Sequence, residues 1–394
     1  MKILIATDSY IHNMSGVTAS VVALCTGLRN AGHDVRILSL SDSRKSYREE
    51  ENYAIRSIPA FIYPDVRLSL ALHDPLIREL EAWSPDVIHV QTEGSARLMA
   101  RKISKHLGVP VVQTCHTDYG YFLFKRFRSL LPVRGFMSLL GKVVFRHAVV
   151  VTVPSRKAAG FPFVRSVRSR LTVVPNGMEI EKYQPRFSPE ERLAFRRSLG
   201  IDDCERVLVS VSRLSREKNI RELIAFLPGL LSAGADNVKF LVVGDGPDKK
   251  HLEQLSEKLR LTERVVFTGR IPSADVWQYY AAGDVYVSAS TFEVHSMSYL
   301  EALAAGLPLL CRADDALDGV LEHNRNGLVY HTREEFTDFA RRLLKNDQLR
   351  ETMARCSAEK AEDFSSDAFA ASFIQVYEDA IRKNPAGAEQ KTGK

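Results

Sequence analysis

Cysteine is scarce and scattered in this chain. The five cysteines, Cys25, Cys115, Cys204, Cys311 and Cys356, lie far apart with no C-x-x-C pair, which argues against a zinc ribbon or a disulfide framework and fits a reducing cytosol. Long apolar runs are missing too: nothing approaches the roughly 20 consecutive apolar residues that a bilayer crossing demands. The opening MKILIATDSY enters a strand-like run without a charged leader and a long apolar segment, so no signal peptide is expected. Acid is missing locally. From Tyr119 to Met178 there is no Asp or Glu, while Lys and Arg recur throughout. The formal net charge of +6 is therefore unevenly spread, with the surplus of base in the first 180 residues and a slight surplus of acid in the remainder. That asymmetry points to an anionic partner for the N-terminal half.

What is present is an ordinary globular composition. With 394 residues, 45% hydrophobic and 26% charged, the chain is long enough for two domains with real cores. Short β-branched runs alternate with helical patterns, the βαβ rhythm of a parallel sheet. KILIAT, DVRILSL, DVIHVQT, VPVVQTCH and AVVVTV form one series, and RVLVSVS, KFLVVGD, RVVFTG, DVYVSAS and LPLLC form a second. Two series predict an α/β protein of two Rossmann-like, doubly wound domains. The polar stretch EIEKYQPRFSPEE (residues 179–191) reads as the linker between them. Ligands of such sheets sit beyond the carboxyl ends of the strands, so the expected site is a cleft between two facing domains.

Within the second series, TFEVHSMSYLEALAAGLPLL carries two glutamates. Glu293 falls in the loop after the strand DVYVSAS. Ser296 is placed to cap a helix that ends at Gly306, with Pro308 barring continuation. Glu301 then lies about one turn into that helix. A helix start offers backbone N–H groups and a positive dipole end to a phosphate, and carboxylates on either side can accept from sugar hydroxyls. A nucleotide sugar has that layout, although the same residues could serve as a plain cap and a solvated side chain. After the first strand of the series, Arg213 and Lys218 follow in VSRLSREKNI. Two cations there can grip a diphosphate, the arginine as a fork and the lysine as a point charge. The turn VVGDGPD is glycine-rich but lacks the G-x-G-x-x-G spacing of a dinucleotide fold.

In the first half, YGYFLFKRFRSLLPVRGFMSLLGKVVFRH interleaves Phe122, Phe124 and Phe127 with Lys125, Arg126 and Arg128. It then sets Phe136, Leu139, Leu140, Val143 and Val144 at helical spacing. An apolar face with a basic rim suits an anionic membrane surface; a core-packed helix with solvated bases is the other reading. No nucleic-acid fold signature accompanies the charge, so nucleic acid is not expected as a partner. Near the end, Phe369, Phe373, Val376, Tyr377 and Ala380 share one helix face, and Asp367 is an early-turn acid.

The ordered set SRLSREKNI, VVGDGPDKKHLEQL, RVVFTGRIP, YYAAGDVYVSAS, FEVHSMSYLEALAAGLPLL and DGVLEHNRNGLVY, over about residues 205–331, resembles the retaining glycosyltransferases of family 4, whose fold is the two-domain GT-B architecture. DSYIHNMSGVTASVVALCTGLRNAGHDVRILS and PVVQTCHTDY extend the resemblance into the first half. It implies an acceptor-side domain over residues 1–180, a nucleotide-sugar domain over 181–364 and a helix over 365–383 that crosses back to the first domain; residues 384–394 read as a disordered tail.

By that resemblance, Arg213 and Lys218 hold the donor diphosphate, replacing the metal that another glycosyltransferase fold keeps on a D-x-D motif absent here. No metal and no cofactor are therefore expected. Glu301 would accept from the ribose and Glu293 from the transferred sugar. Backbone N–H groups of His295, Ser296 and Met297 would meet phosphate or sugar, and Arg270 and Ile271 would border the base. Gly16 would leave room for the diphosphate, and His116 would contact the sugar beside the reacting carbon. Ser296 stands where the family usually has glycine, and Ser15-Gly16-Val17 where it has N-G-V.

The variant EVHSMSYLEALAAGLP, with TCHTDY upstream, resembles the bacterial enzymes that glucosylate diacylglycerol. The implied activity is a metal-independent, retaining hexosyl transfer from UDP-glucose to a membrane lipid, by a peripheral protein on the cytoplasmic face. Phe122, Phe124, Lys125, Arg126, Phe127 and Arg128 would meet the membrane or acceptor. The alternatives are a family 4 enzyme using GDP-mannose on phosphatidylinositol or acting on a soluble sugar, a sugar-nucleotide epimerase, and a non-catalytic lipid-surface binder.

Overall fold

Parallel strands need long crossovers, which carry helices onto both sheet faces and leave the strands buried. That is why near-continuous apolar runs in this sequence become strands. A computed structural model describes residues 1–8, 15–60, 67–118 and 133–384, and it divides into two compact units, residues 1–178 with 366–394 and residues 179–365.

The first unit holds β1 (Lys2–Ala6), β2 (Asp34–Leu40), β3 (Tyr47–Glu49), β4 (Asn52–Ile55), the hairpin β5 (Ile58–Pro59) and β6 (Arg67–Leu68), β7 (Val87–Val90), β8 (Val111–Thr114), β9 (Val150–Val153) and β10 (Leu171–Val173). Its main sheet runs β10-β9-β8-β7-β1-β2-β4-β3, parallel except where β3 pairs with β4. The order reverses between β1 and β7, so the loops after those two strands flank this unit's switch point.

The second unit holds β11 (Arg206–Val211), β12 (Val238–Val243), β13 (Val265–Phe267), β14 (Val285–Ser288), β15 (Leu309–Arg312) and β16 (Gly327–Tyr330). They form one sheet in the order β13-β12-β11-β14-β15-β16, with every pairing parallel. Here the order reverses between β11 and β14. The loops that carry Arg213 and Lys218, and Glu293 to Met297, are the two that follow those strands.

The C-terminal helix Ser366–Arg382 belongs to the first unit. Phe369, Phe373, Val376, Tyr377 and Ala380 are all buried and join Ile3, Ile5, Leu24, Val87 and Val112 in one core cluster. The helix Gly16–Asn30 accepts it closely because of Gly27, where a Cβ would lie 2.0 Å from the Ser366 carbonyl oxygen. A mid-helix glycine costs about 1 kcal/mol relative to alanine, and here the close approach explains it.

Beneath that helix runs a buried polar chain. His89 Nδ1 lies 2.7 Å from the Tyr377 hydroxyl and Nε2 lies 2.7 Å from Thr114 Oγ1, which in turn lies 2.6 Å from Thr152 Oγ1. The imidazole also packs against Phe373, with ring centroids 4.6 Å apart. Burial, with a smaller contribution from His116, pushes the His89 pKa down to about 3.

The stretch 179–191, expected as a linker, is instead part of the second unit. It forms a 3-10 turn over Ile180–Lys182 and then the capping box of Ser188 and Glu191 that opens the helix Pro189–Ser198. From that helix Arg192 and Arg196 pair with the buried Asp284 at 3.0 and 2.8 Å. The tail expected beyond residue 384 lies outside the described residues.

Phe373→Ala removes a fully buried ring from the seam between the C-terminal helix and the sheet, which costs about 3–5 kcal/mol of stability and is read as a lower thermal midpoint. The neutral His89 sets a pH dependence. Its folded pKa lies below the usual 6.5, so the unfolded chain takes the proton first. The stability is complete above about pH 6.5 and falls by about 1.4 kcal/mol per unit as pH drops toward 3. Thermal midpoints between pH 7.5 and 5 should show a steeper decline in the wild type than in His89→Gln.

Candidate functional site

The loop after β11 is shaped by the loop after β12. The Leu214 backbone N–H donates to the Asp245 carbonyl at 2.9 Å, and Leu214 is fully buried. Gly244 (φ 131°) and Gly246 make this possible, because a Cβ on the first would lie 2.0 Å from the Ser212 carbonyl oxygen and on the second 2.3 Å from that of Leu214. The glycines of VVGDGPD thus allow two backbones to touch. Between those anchors Arg213 stays exposed, with no ion pair among the described residues. Lys218 closes the 3-10 turn Arg216–Lys218, which ends on Asn219 at φ 51°.

The loop after β14 is stitched onto the same turn. The Thr291 N–H donates to the Glu217 carbonyl at 2.9 Å, and the Thr291 and Ser290 hydroxyls donate to it at 3.2 and 3.3 Å. This brings Lys218 Nζ to 2.6 Å from Glu293 Oε1. Glu293 is only 8% exposed, so its charge needs that partner.

His295 is equally buried, and its Nδ1 has no hydrogen-bond partner among the described residues. Burial pushes its pKa down to about 4, leaving the ring neutral against Phe364 at 5.8 Å. Ser296 is the N-cap of the helix Met297–Ala304 but makes no side-chain cap. Its hydroxyl lies instead 3.0 Å from Ser298 Oγ, which accepts from the Tyr286 hydroxyl at 3.0 Å. The helix start is therefore left without the side chain that usually satisfies it, and its N–H groups suit an anion.

Glu301 follows one turn later, behind the pair of Lys218 and Glu293. Its Oε1 accepts from the Tyr183 hydroxyl at 3.1 Å and its Oε2 from the Tyr280 hydroxyl at 2.7 Å. Burial raises its pKa, and the two tyrosine hydrogen bonds and Lys218 oppose that rise. Neither tyrosine was singled out by sequence reading. Arg270 and Ile271 follow β13 after Gly269, with Arg270 exposed; β13 is one of the two edge strands, and no hydrogen bond or ion pair among the described residues joins them to the carboxylates.

Two predicted residues belong to the first unit. Gly16 is the first residue of the helix Gly16–Asn30, exposed and preceded by Ser15, whose hydroxyl accepts from the Thr18 N–H at 3.2 Å. His116 follows β8 and is half-buried, with Nε2 2.7 Å from Gln91 Oε1; an amide oxygen there makes Nε2 the protonated nitrogen. Asp8, at the end of β1, accepts from the Gly94 and Ala96 N–H groups at 2.9 and 2.8 Å. It ties the ends of β1 and β7 together. Asp8 and Gln91 were missed by sequence reading, and their one signal was position directly after a strand.

Phe122, Phe124, Lys125, Arg126, Phe127 and Arg128 lie outside the described residues. The helix Val133–Val144 beyond them is described. Met137 faces inward, fully buried, and Gly141 lets the helix touch Phe163, whose carbonyl oxygen would lie 1.8 Å from a Cβ. On the other side Phe136, Leu139 and Val143 are 57%, 62% and 61% exposed, with Leu140 beside them at 36%. The apolar spacing seen in the sequence thus faces outward. No helix among the described residues is long and apolar enough to cross a membrane.

Residues 191–360 match the family described as Glycosyl transferases group 1, and residues 14–182 match Glycosyltransferase Family 4. The chain is 30% identical to the alpha-monoglucosyldiacylglycerol synthase of Streptococcus pneumoniae, over 98% of this chain and 87% of that protein. It is 28% identical to the enzyme of the same name from Acholeplasma laidlawii, over 98% of each. Among solved structures, Anabaena HepE in complex with UDP-glucose superposes with a TM-score of 0.72 at 20% identity, covering 96% of this chain and 100% of that one. With both sheets of the GT-B type and both halves matched, the chain belongs to the family 4 glycosyltransferases.

Proposed function

We propose that the protein transfers a hexosyl unit, glucose from UDP-glucose, to a membrane lipid of the diacylglycerol class, with retention of anomeric configuration and without a metal ion. The observation that carries the donor part is the uncapped helix start at Met297 beside the pair of Lys218 and Glu293, at the switch point of the second unit. Glucose and diacylglycerol are favoured because both synthases named above share nearly the full length of the chain.

The chemistry follows from the residues. A lysine ammonium has three donors; Glu293 uses one, leaving the others for the diphosphate. Arg213, exposed and unpaired among the described residues, supplies a second cation. Together with the helix N–H groups they neutralise the charge that grows on the leaving phosphate, the role a metal would otherwise fill. Glu293 accepts from hydroxyls of the transferred sugar and Glu301 from the ribose. Arg270 and Ile271 are assigned to the base, and Gly16 and His116 to the diphosphate and the sugar. The bond from the anomeric carbon to the phosphate oxygen breaks, the acceptor oxygen attacks on the same face, and the acceptor proton passes to the departing phosphate oxygen.

Membrane docking is supported by the outward apolar face of Val133–Val144 and by the surrounding stretch free of acid, where each Lys or Arg near an anionic surface contributes about 1 kcal/mol. Phe122, Phe124, Lys125, Arg126, Phe127 and Arg128 are assigned to the same surface. The protein would work peripherally, on the cytoplasmic face.

Glu293→Ala should lower transfer by roughly 10²-fold or more, while wild-type transfer persists in EDTA and NMR of the earliest product shows the α-anomer. A β-linked early product would end the retaining mechanism, and loss in EDTA restored by Mg²⁺ would end metal independence. The triple substitution Phe136→Ser, Leu139→Ser, Val143→Ser should cut sedimentation with anionic liposomes severalfold at an unchanged melting temperature. Unaltered sedimentation would remove this helix from the membrane contact.

A further inference from the structure

Two tyrosine hydroxyls from separate segments converge on one carboxylate, an expensive arrangement to leave without a purpose. Tyr280, fully buried, comes from the helix Val276–Ala282 that precedes β14. Tyr183, half-buried, comes from the stretch just after the 3-10 turn Ile180–Lys182, near the first residues of the second unit. Their rings meet edge to face with centroids 6.1 Å apart, and each hydroxyl takes a different oxygen of Glu301. Two phenylalanine rings would fill the same space but would leave the buried Glu301 carboxylate without these two donors.

A carboxylate offers about four acceptor positions. With one on each oxygen taken by a tyrosine, one on each oxygen remains, and the two that remain are spaced for a pair of adjacent hydroxyls. We propose that Tyr183 and Tyr280 are positioning residues for the donor: they hold Glu301 oriented so that its remaining acceptor positions receive the vicinal diol of the ribose of a nucleoside diphosphate. This rests on the reading of Glu301 given under the proposed function. Burial and the nearby Glu301 charge push both tyrosine pKa values up, so both hydroxyls stay donors across the working pH range. Through Tyr183, a residue that the sequence places in a plain linker contributes to nucleotide affinity.

The test is binding of UDP and of 2′-deoxy-UDP to the full chain by calorimetry, with the guanosine pair substituted if the donor proves to be a GDP-sugar. The ratio of the two affinities isolates the ribose hydroxyl. Tyr183→Phe and Tyr280→Phe keep the rings and should each weaken UDP by about tenfold, the scale of a lost hydrogen bond to a charged group. They should weaken 2′-deoxy-UDP much less, so the ratio shrinks, and the KM for donor should rise while kcat at saturating donor stays within about twofold. A purely structural role would weaken both nucleotides alike and would overturn the proposal. Glu301→Gln separates the two levels. If it abolishes the discrimination while the tyrosine variants keep it, the reading of Glu301 stands and the positioning role fails; if discrimination survives in Glu301→Gln, the reading itself fails and the proposal with it.

Discussion

The start of the helix Met297–Ala304 is the feature on which the candidate site depends. Serine at an N-cap ordinarily satisfies one of the first N–H groups, yet Ser296 turns its hydroxyl to Ser298. Open donors at a helix start are a cost in an empty protein and an asset when an anion is bound. The neighbouring charges fit the second case: Lys218 lies beside Glu293 on one side, and Glu301 sits behind under two tyrosines. In the proposed reading a nucleotide sugar, with phosphate at the helix and hydroxyls on the carboxylates, would answer all of these groups together.

Strand order makes that constellation possible. Because β11 and β14 are neighbours at which the connections diverge, the loops after them are free to meet, and three donors on the Glu217 carbonyl fasten one to the other. The glycines of the loop after β12 then fix Leu214 and leave Arg213 outside. In the first unit the same logic ties the ends of β1 and β7 through Asp8, and the polar chain from Tyr377 through His89 to Thr152 links the C-terminal helix to the strands below it.

Much of the architecture was legible because burial on both faces turns strands into nearly continuous apolar runs. DVRILSL and KFLVVGD could hardly be anything else. Leu171–Val173 and Gly327–Tyr330, short strands at the edges of their sheets, were not read as strands. Glu293, Lys218 and Ser296 were accessible from their place after a strand or before a helix. The contacts of Tyr183, Tyr280 and Gln91 were not, since each joins residues distant in sequence and only the fold decides the pairing. The polar stretch 179–191 misled for the opposite reason: its composition is that of a linker, but its tyrosine and the arginines that follow are spent on Glu301 and Asp284. The outward face of Val133–Val144 was visible as a spacing, while its direction depended on Gly141 and Met137 turning the other side inward.

Nucleotide release tests most directly whether a lipid is the acceptor. UDP-glucose, UDP-galactose and GDP-mannose would each be supplied with and without diacylglycerol in anionic liposomes. The expected result is UDP released from UDP-glucose only when the lipid is present. Release that is indifferent to the lipid, or absent from every donor, would contradict transfer to diacylglycerol and return the acceptor to the soluble sugars.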